Sequence, residues 1–218
     1  MSSAPRSPNV VSFYRADAVD DATLVGAASE GIEDARRALY ERHAPAIERL
    51  LFRLLGPSAD LADPLCETFR RAFERLGQLS EPAGVRSWLF AIAARVAREH
   101  ARSARRRSWL SFLPWSEVPE VPTTTHDASG EAREAAARVF LLLEKLSSEA
   151  RVAFSLRYLE GFELAEIATT LRISVSTTQR RLRAAEEKFY AAAARDPVLR
   201  DYMGDDAPLL FSNLRSTS

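Results

Sequence analysis

Phe162-Glu-Leu-Ala-Glu-Ile-Ala-Thr-Thr-Leu-Arg172-Ile-Ser174-Val-Ser-Thr-Thr-Gln-Arg180-Arg-Leu-Arg183 reads as two short helices joined by a tight turn, the second ending in clustered arginines. Leu164, Ile167, Ala168 and Leu171 recur at i, i+3, i+4 and i+7, the stripe that buries one helix face. Ser174 follows a two-residue connection and can cap the next helix by accepting an N–H from its first turn. Ile173, Val175, Thr178 and Leu182 are expected to hold that helix against the first. Ser176, Thr177, Gln179, Arg180, Arg181 and Arg183 then fall on or near the outer face. Gln and Arg read base edges in a major groove, while Ser and Thr suit phosphates. The pattern is that of a helix-turn-helix with a recognition helix; an antiparallel pair with a solvated basic face is the competing reading.

Working outward, the 218 residues include only 8 glycines, and strand-like alternation is hard to find, so the fold class is all-α. The formal net charge of zero hides a strong segregation. Residues 37–107 carry 14 arginines against 8 acids, and residues 138–195 carry 10 basic against 7 acidic side chains. Residues 1–36, 108–137 and 196–218 are each net acidic. Since fields decay over about 8 Å at physiological salt, the two basic blocks act as separate local potentials. The lone cysteine, Cys66, excludes an internal disulfide and reads as a small buried side chain in a helix. His43, His100 and His126 have no metal-ligand spacing, so no metal and no cofactor is expected. No nucleophile–base or phosphate-loop pattern appears, so no catalytic residue is assigned and an enzyme is the least favoured class. No apolar run approaches the ~18 residues of a membrane span, and a cytoplasmic location without membrane insertion is expected.

The chain divides into an N-terminal leader (1–34), a first helical domain (35–107), an acidic Pro-containing linker (108–136), a second helical domain (137–195) and a C-terminal tail (196–218). Within the leader, Asp21 to Ala28 suits a short helix, and residues 1–20 look poorly ordered. From Ile32 to Leu55 an apolar stripe runs through Leu39, His43, Ile47, Leu50 and Leu54, interrupted at Pro45 by a kink or a boundary. Asp63-Pro64 reads as a cap and first-turn proline for a helix packing Leu65, Phe69, Ala72, Phe73 and Leu76. Val85 to Arg107 is a third helix, with Trp88, Leu89, Ile92, Ala93, Val96 and Ala97 inward. Its other side carries seven arginines (Arg86, Arg95, Arg98, Arg102, Arg105, Arg106 and Arg107) against the single acid Glu99, a balance that points to a phosphate backbone. Trp109, Phe112, Leu113 and Trp115 make the linker more apolar than an inert spacer. Pro197 is expected to end the recognition helix.

Three segments, in this order, resemble the compact extracytoplasmic-function group of RNA polymerase sigma factors, which keeps only the second and fourth conserved regions. They are Asp60-Leu-Ala-Asp63-Pro-Leu-Cys-Glu67-Thr-Phe69-Arg-Arg-Ala-Phe73, Val85-Arg-Ser-Trp88-Leu-Phe90-Ala-Ile92-Ala93, and Leu156-Arg-Tyr158-Leu-Glu160-Gly161-Phe-Glu-Leu-Ala165-Glu166-Ile167-Ala168 with Ile173-Ser174-Val175-Ser-Thr177. The resemblance implies a promoter-recognising subunit of bacterial RNA polymerase with no chemistry of its own. It implies that Asp60, Asp63, Glu67 and Phe69 bind the polymerase core. It places Trp88, Arg95, Arg98, Arg102, Arg105, Arg106 and Arg107 on minus-ten promoter DNA and its melted non-template strand. It places Ser174, Ser176, Thr177, Gln179, Arg180, Arg181 and Arg183 on minus-thirty-five duplex DNA. An anti-sigma factor is the further partner it implies.

The chain departs from the family pattern at Pro64 and Cys66 between the acids, at Ala94-Arg95 in the melting helix, at Arg172 in place of a turn glycine, and at Ala184 and Glu186 in place of basic residues. Arg172 costs roughly 1 kcal/mol or more if the turn demands positive φ. Two alternatives stand beside the sigma reading: a stand-alone helix-turn-helix regulator, and a sigma mimic that titrates an anti-sigma factor. Core polymerase separates them, because a sigma factor needs it for useful promoter affinity.

Overall fold

The computed structural model describes residues 19–56, 59–107 and 130–203, and among these every regular element is helical. The first bundle comprises α1 (Asp21–Ser29), α2 (Glu33–Leu55), α3 (Ala62–Arg75) and α4 (Val85–Arg107), with two 3-10 turns between α3 and α4. Asp20 caps α1 by accepting the Thr23 N–H at 2.9 Å. Leu24 and Ala28 are fully buried against α2. From α2, Arg36 donates to the Ala28 carbonyl at 3.1 Å and Arg42 to Asp21 at 2.5 Å. This helix therefore belongs to the core of the first bundle, although the sequence assigns it to a leader. Residues 1–18 lie outside the described set.

Pro45 deletes one backbone bond, yet α2 runs unbroken, because Leu39, Ile47, Leu50 and Leu51 are all sealed in the core on one side. Gly56, at φ 96°, ends it in a conformation that an L side chain rarely adopts. α3 starts earlier than expected. Leu61 is the N-cap residue, Asp60 accepts the Ala62 N–H at 3.0 Å, and Asp63 lies inside the first turn. Pro64 is still tolerated, since first-turn N–H groups have no helical acceptor. The α4 bounds match those read from the apolar spacing.

The second unit comprises α5 (Gly130–Glu144), α6 (Ser148–Phe154) continued by a π-helical turn (Ser155–Leu159), α7 (Leu164–Leu171), α8 (Val175–Ala193) and α9 (Pro197–Met203). Residues 108–129, with Trp109, Phe112, Leu113 and Trp115, lie outside the described residues. Pro197 does not end α8. Ala193 does, and Pro197 opens α9, where Asp196 accepts the Leu199 N–H at 3.2 Å and Leu199 is buried in the second core. Part of the expected tail thus braces this domain.

The turn between α7 and α8 forces Arg172 to φ 54°, ψ 49°, the left-handed region. A Cβ there crowds the following carbonyl. Arg172→Gly is expected to stabilise the domain by about 1 kcal/mol, after allowing for glycine's greater chain entropy. That raises the melting midpoint by about 2–4 °C for a chain of this size, measurable by calorimetry.

The larger of the two hydrophobic cores spans both units. Val152, Ala153, Leu156, Phe162, Ile167 and Leu182 are buried in the same cluster as Leu50, Leu89 and Phe90. Phe90 and Phe162 stack at 5.1 Å and Phe52 and Phe140 at 5.0 Å between ring centroids. The Glu160 side chain is 4 % exposed and pairs with Arg53 at 2.6 Å and Arg86 at 3.5 Å, both from the first bundle.

Candidate nucleic-acid interface

The Ser174 hydroxyl accepts the Thr177 N–H at 3.1 Å and lies 3.0 Å from the Ser176 and 2.8 Å from the Thr177 hydroxyl oxygens. This knot fixes the first turn of α8. Ser176, Gln179, Arg180 and Arg183 are exposed, and their spacing sets them along one side of the helix. Thr177 and Arg181 are half-buried, so only part of each is presented. Thr178 and Leu182 are buried as expected. Val175 is not: at 45 % exposed it stands out from the first turn, so Ile173, Thr178 and Leu182 carry the packing. Arg183 approaches Glu187 at 3.5 Å, but both are well exposed, and such a pair contributes little. Glu186 is a strut instead of a phosphate contact, because the Tyr158 hydroxyl donates to it. Burial, and then that carboxylate, push the Tyr158 phenol well above its usual range.

On α4, Trp88 is half-buried and borders a cleft of about 480 Å³ with Arg95, Arg98, Arg102, Arg75 and Arg172. Arg95 bonds Glu99 at 3.2 Å, and Arg98 donates to the Ala94 carbonyl at 3.2 Å. Arg102 is exposed and has no partner among the described residues. Arg105, Arg106 and Arg107 continue the helix, but their side chains lie outside the described set. Arg86 does not belong to this face. Its guanidinium lies 4.5 Å from the Phe162 ring centroid and 5.2 Å from that of Phe90, at the contact between the units. Sequence reasoning missed Arg75 and Arg172, which reach the cleft from α3 and from the end of α7; no local spacing links them to α4.

The acidic face lies on α3. Asp60 and Asp63 are exposed. Glu67 accepts two bonds from Arg70, both at 2.7 Å, and one from Arg71 at 2.7 Å. Arg70, and then Arg71, hold the Glu67 carboxyl down at about 2. Glu67 is therefore half of a local charge network, which Glu99 extends by accepting from Arg71 at 2.8 Å. Phe69 is a correction. It is 3 % exposed and packs on Tyr40 and Phe73 at 4.7 and 5.9 Å, so it shapes this face from beneath without reaching a partner. Cys66, expected in the core, is exposed and lines a groove with Asp60, Asp63 and Glu67, since the apolar face of α3 is filled by Leu65, Phe69 and Ala72.

An acidic face on α3 and a basic face on α4 stand in the same molecule as the capped helix α8. Residues 39–107 match the family Sigma-70 region 2, and residues 137–189 match Sigma-70, region 4. The ECF RNA polymerase sigma factor SigL of Mycobacterium tuberculosis is 34% identical over 151 residues, 67% of this chain and 81% of its own. The ECF RNA polymerase sigma-E factor of Escherichia coli is 26% identical over 179 residues, 77% of this chain and 91% of its own. Among solved structures, CnrH in complex with the cytosolic domain of CnrY aligns with a TM-score of 0.60 at 25% identity, covering 81% of this chain and 98% of that one. The chain belongs to the extracytoplasmic-function group of the sigma-70 family of RNA polymerase sigma factors. Its function is to direct RNA polymerase to promoters.

Proposed function

We propose that this sigma factor divides its work among three faces. Asp60, Asp63 and Glu67 dock on the polymerase core, with Phe69 as the packing beneath them. Arg95, Arg98 and Arg102, continued by Arg105, Arg106 and Arg107, follow the phosphates upstream of the minus-ten element, with Trp88 at the base of the same cleft. Ser176, Gln179, Arg180 and Arg183 enter the minus-thirty-five major groove, while Ser174, Thr177 and Arg181 contact the backbone beside it. The observation that carries this reading is the exposed row on α8, held by the Ser174 cap in the same molecule as a second arginine face on α4. Run-off transcription with purified core polymerase tests it, and transcript that depends on both core and this chain is the expected result.

No helix among the described residues is long and apolar enough to cross a membrane. A cytoplasmic place of work is proposed from the function itself, since bacterial RNA polymerase and its promoters are there. An anti-sigma factor is a further proposed partner, supported by the likeness to CnrH bound to the cytosolic domain of CnrY.

Arg95 and Arg102 separate backbone contact from simple solvation. Each phosphate contact on duplex DNA adds about −0.9 to the slope of log K against log salt. Changing both to Ala is expected to flatten the slope of promoter-complex formation by nearly 2, similarly on different promoters. Filter binding across a salt series measures it, and an unchanged slope removes these residues from the interface.

A further inference from the structure

We propose that Glu160 is the latch of a closed form of this sigma factor, in which the second unit is folded back on the promoter-facing side of the first. The inference rests on the reading of α4 and α8 as the two promoter-contacting helices. The Glu160 carboxylate sits between the units, with one oxygen 2.6 Å from Arg53 and the other 3.5 Å from Arg86. Its backbone carbonyl accepts from Arg86 at 2.9 Å. Among the described residues the carboxylate bonds these two arginines only, and both belong to the other unit. Arg86 is in turn held over Phe162, which stacks on Phe90.

Closure has two consequences for promoter binding. The first is confinement: Thr170, Leu171 and Arg172, at the end of α7, form one wall of the cleft that Trp88, Arg95, Arg98 and Arg102 line, narrowing the approach to it. The second is reach. A globule of this size is about 40 Å across. Elements centred 10 and 35 positions upstream stand roughly 25 base pairs apart, or about 85 Å at 3.4 Å per step. The closed form cannot touch both. The 22 residues between Arg107 and Gly130 are enough chain to bridge roughly 70 Å when extended, so the covalent connection permits separation.

The ion pair decides how readily the units part. In the closed form the carboxylate is 4 % exposed and Arg53 17 % exposed, with Arg86 at the more open edge, and removing the carboxylate leaves the half-buried Arg53 without its counter-charge. In the open form each regains water, so the same change costs little there. A substitution at Glu160 therefore weakens the closed form selectively. Because only open molecules span the promoter, apparent affinity scales with the open fraction.

The test uses the full chain, as parent and as Glu160→Gln, Glu160→Lys and Arg86→Ala. Small-angle scattering should show a compact parent and an expanded Glu160→Lys chain, in which a third cation faces Arg53 and Arg86. With limiting protein and excess core polymerase, Glu160→Gln should form roughly tenfold more promoter complex, a shift of about 1.4 kcal/mol in the closed–open equilibrium. A damaged fold would lower that yield. If Glu160→Lys loses its helical circular dichroism, Glu160→Gln and Arg86→Ala carry both measurements. Variants as compact as the parent overturn the latch, as does expansion without a gain in promoter complex. A parent that initiates normally while its variants behave identically defeats the latch alone. A parent that gives no core-dependent transcript defeats the promoter reading, and the latch with it.

Discussion

Asp63→Lys combined with Glu67→Lys is expected to weaken binding to core polymerase at least about 100-fold, while helical circular dichroism stays unchanged. Close charge pairs across an interface couple by about 1.5–7 kcal/mol, and reversing two acids turns attraction into repulsion. The fold survives because the guanidiniums that Glu67 now holds keep other partners. Arg70 retains Glu74 at 2.5 Å, and Arg71 retains Glu99 at 2.8 Å. A companion, Glu67→Gln, removes the carboxylate charge without reversing it. If Glu67 serves chiefly to aim Arg70 and Arg71, this variant loses only a small part of the affinity. Pull-down and fluorescence titration with purified core polymerase give the answer. Binding of the double variant within about threefold of the parent would refute docking through α3.

Gln179 and Arg180 should change which DNA is chosen, and not merely how tightly DNA is held. Both are exposed on α8, one to two turns beyond the Ser174 cap, and both side chains are long enough to reach base edges. A bidentate base contact discriminates by about 1–3 kcal/mol, up to more than 100-fold between sequences, whereas a phosphate contact barely discriminates. Selection from randomised minus-thirty-five duplexes with Gln179→Ala or Arg180→Ala holoenzyme is expected to return a new preferred sequence. Arg181, half-buried beside them, should behave differently: Arg181→Ala lowers affinity for selected and random duplexes by similar factors. The same preferred sequence from parent, Gln179→Ala and Arg180→Ala would mean that α8 grips only the backbone.

These faces differ in how far sequence could expose them, and the difference follows the range of the signal. The α7–turn–α8 unit is written locally: an apolar stripe, a serine three residues before the N–H it caps, and a two-residue turn. The α4 helix is equally legible, since Val85 to Ala97 repeats its apolar positions without a break. Burial was harder. Phe69 and Cys66 lie three residues apart on α3, yet one is in the core and the other in solvent, which only the packing of α2 and α4 determines. Short helices such as α1 and α9 contain too few turns for periodicity to separate a docked element from a fraying end. Glu160 was the least visible. Its partner Arg53 stands 107 positions away, and an acid before Gly161 reads locally as a solvated turn residue. Arg86 was misplaced for the same reason: among seven arginines on one helix, nothing nearby marks it as the one that turns toward Phe162.

The exposed thiol of Cys66 gives this molecule a built-in reporter site. The chain has a single cysteine, so one maleimide fluorophore would attach at one defined place without any engineered residue. That place lies in the groove beside Asp60, Asp63 and Glu67, the face proposed to dock on the polymerase core, so an environment-sensitive dye there would report that docking. Association and release could then be followed in real time on the unaltered sequence. Because the dye crowds the same groove, a bulky adduct would also act as a blocking reagent, and graded label sizes would map how closely the partner approaches.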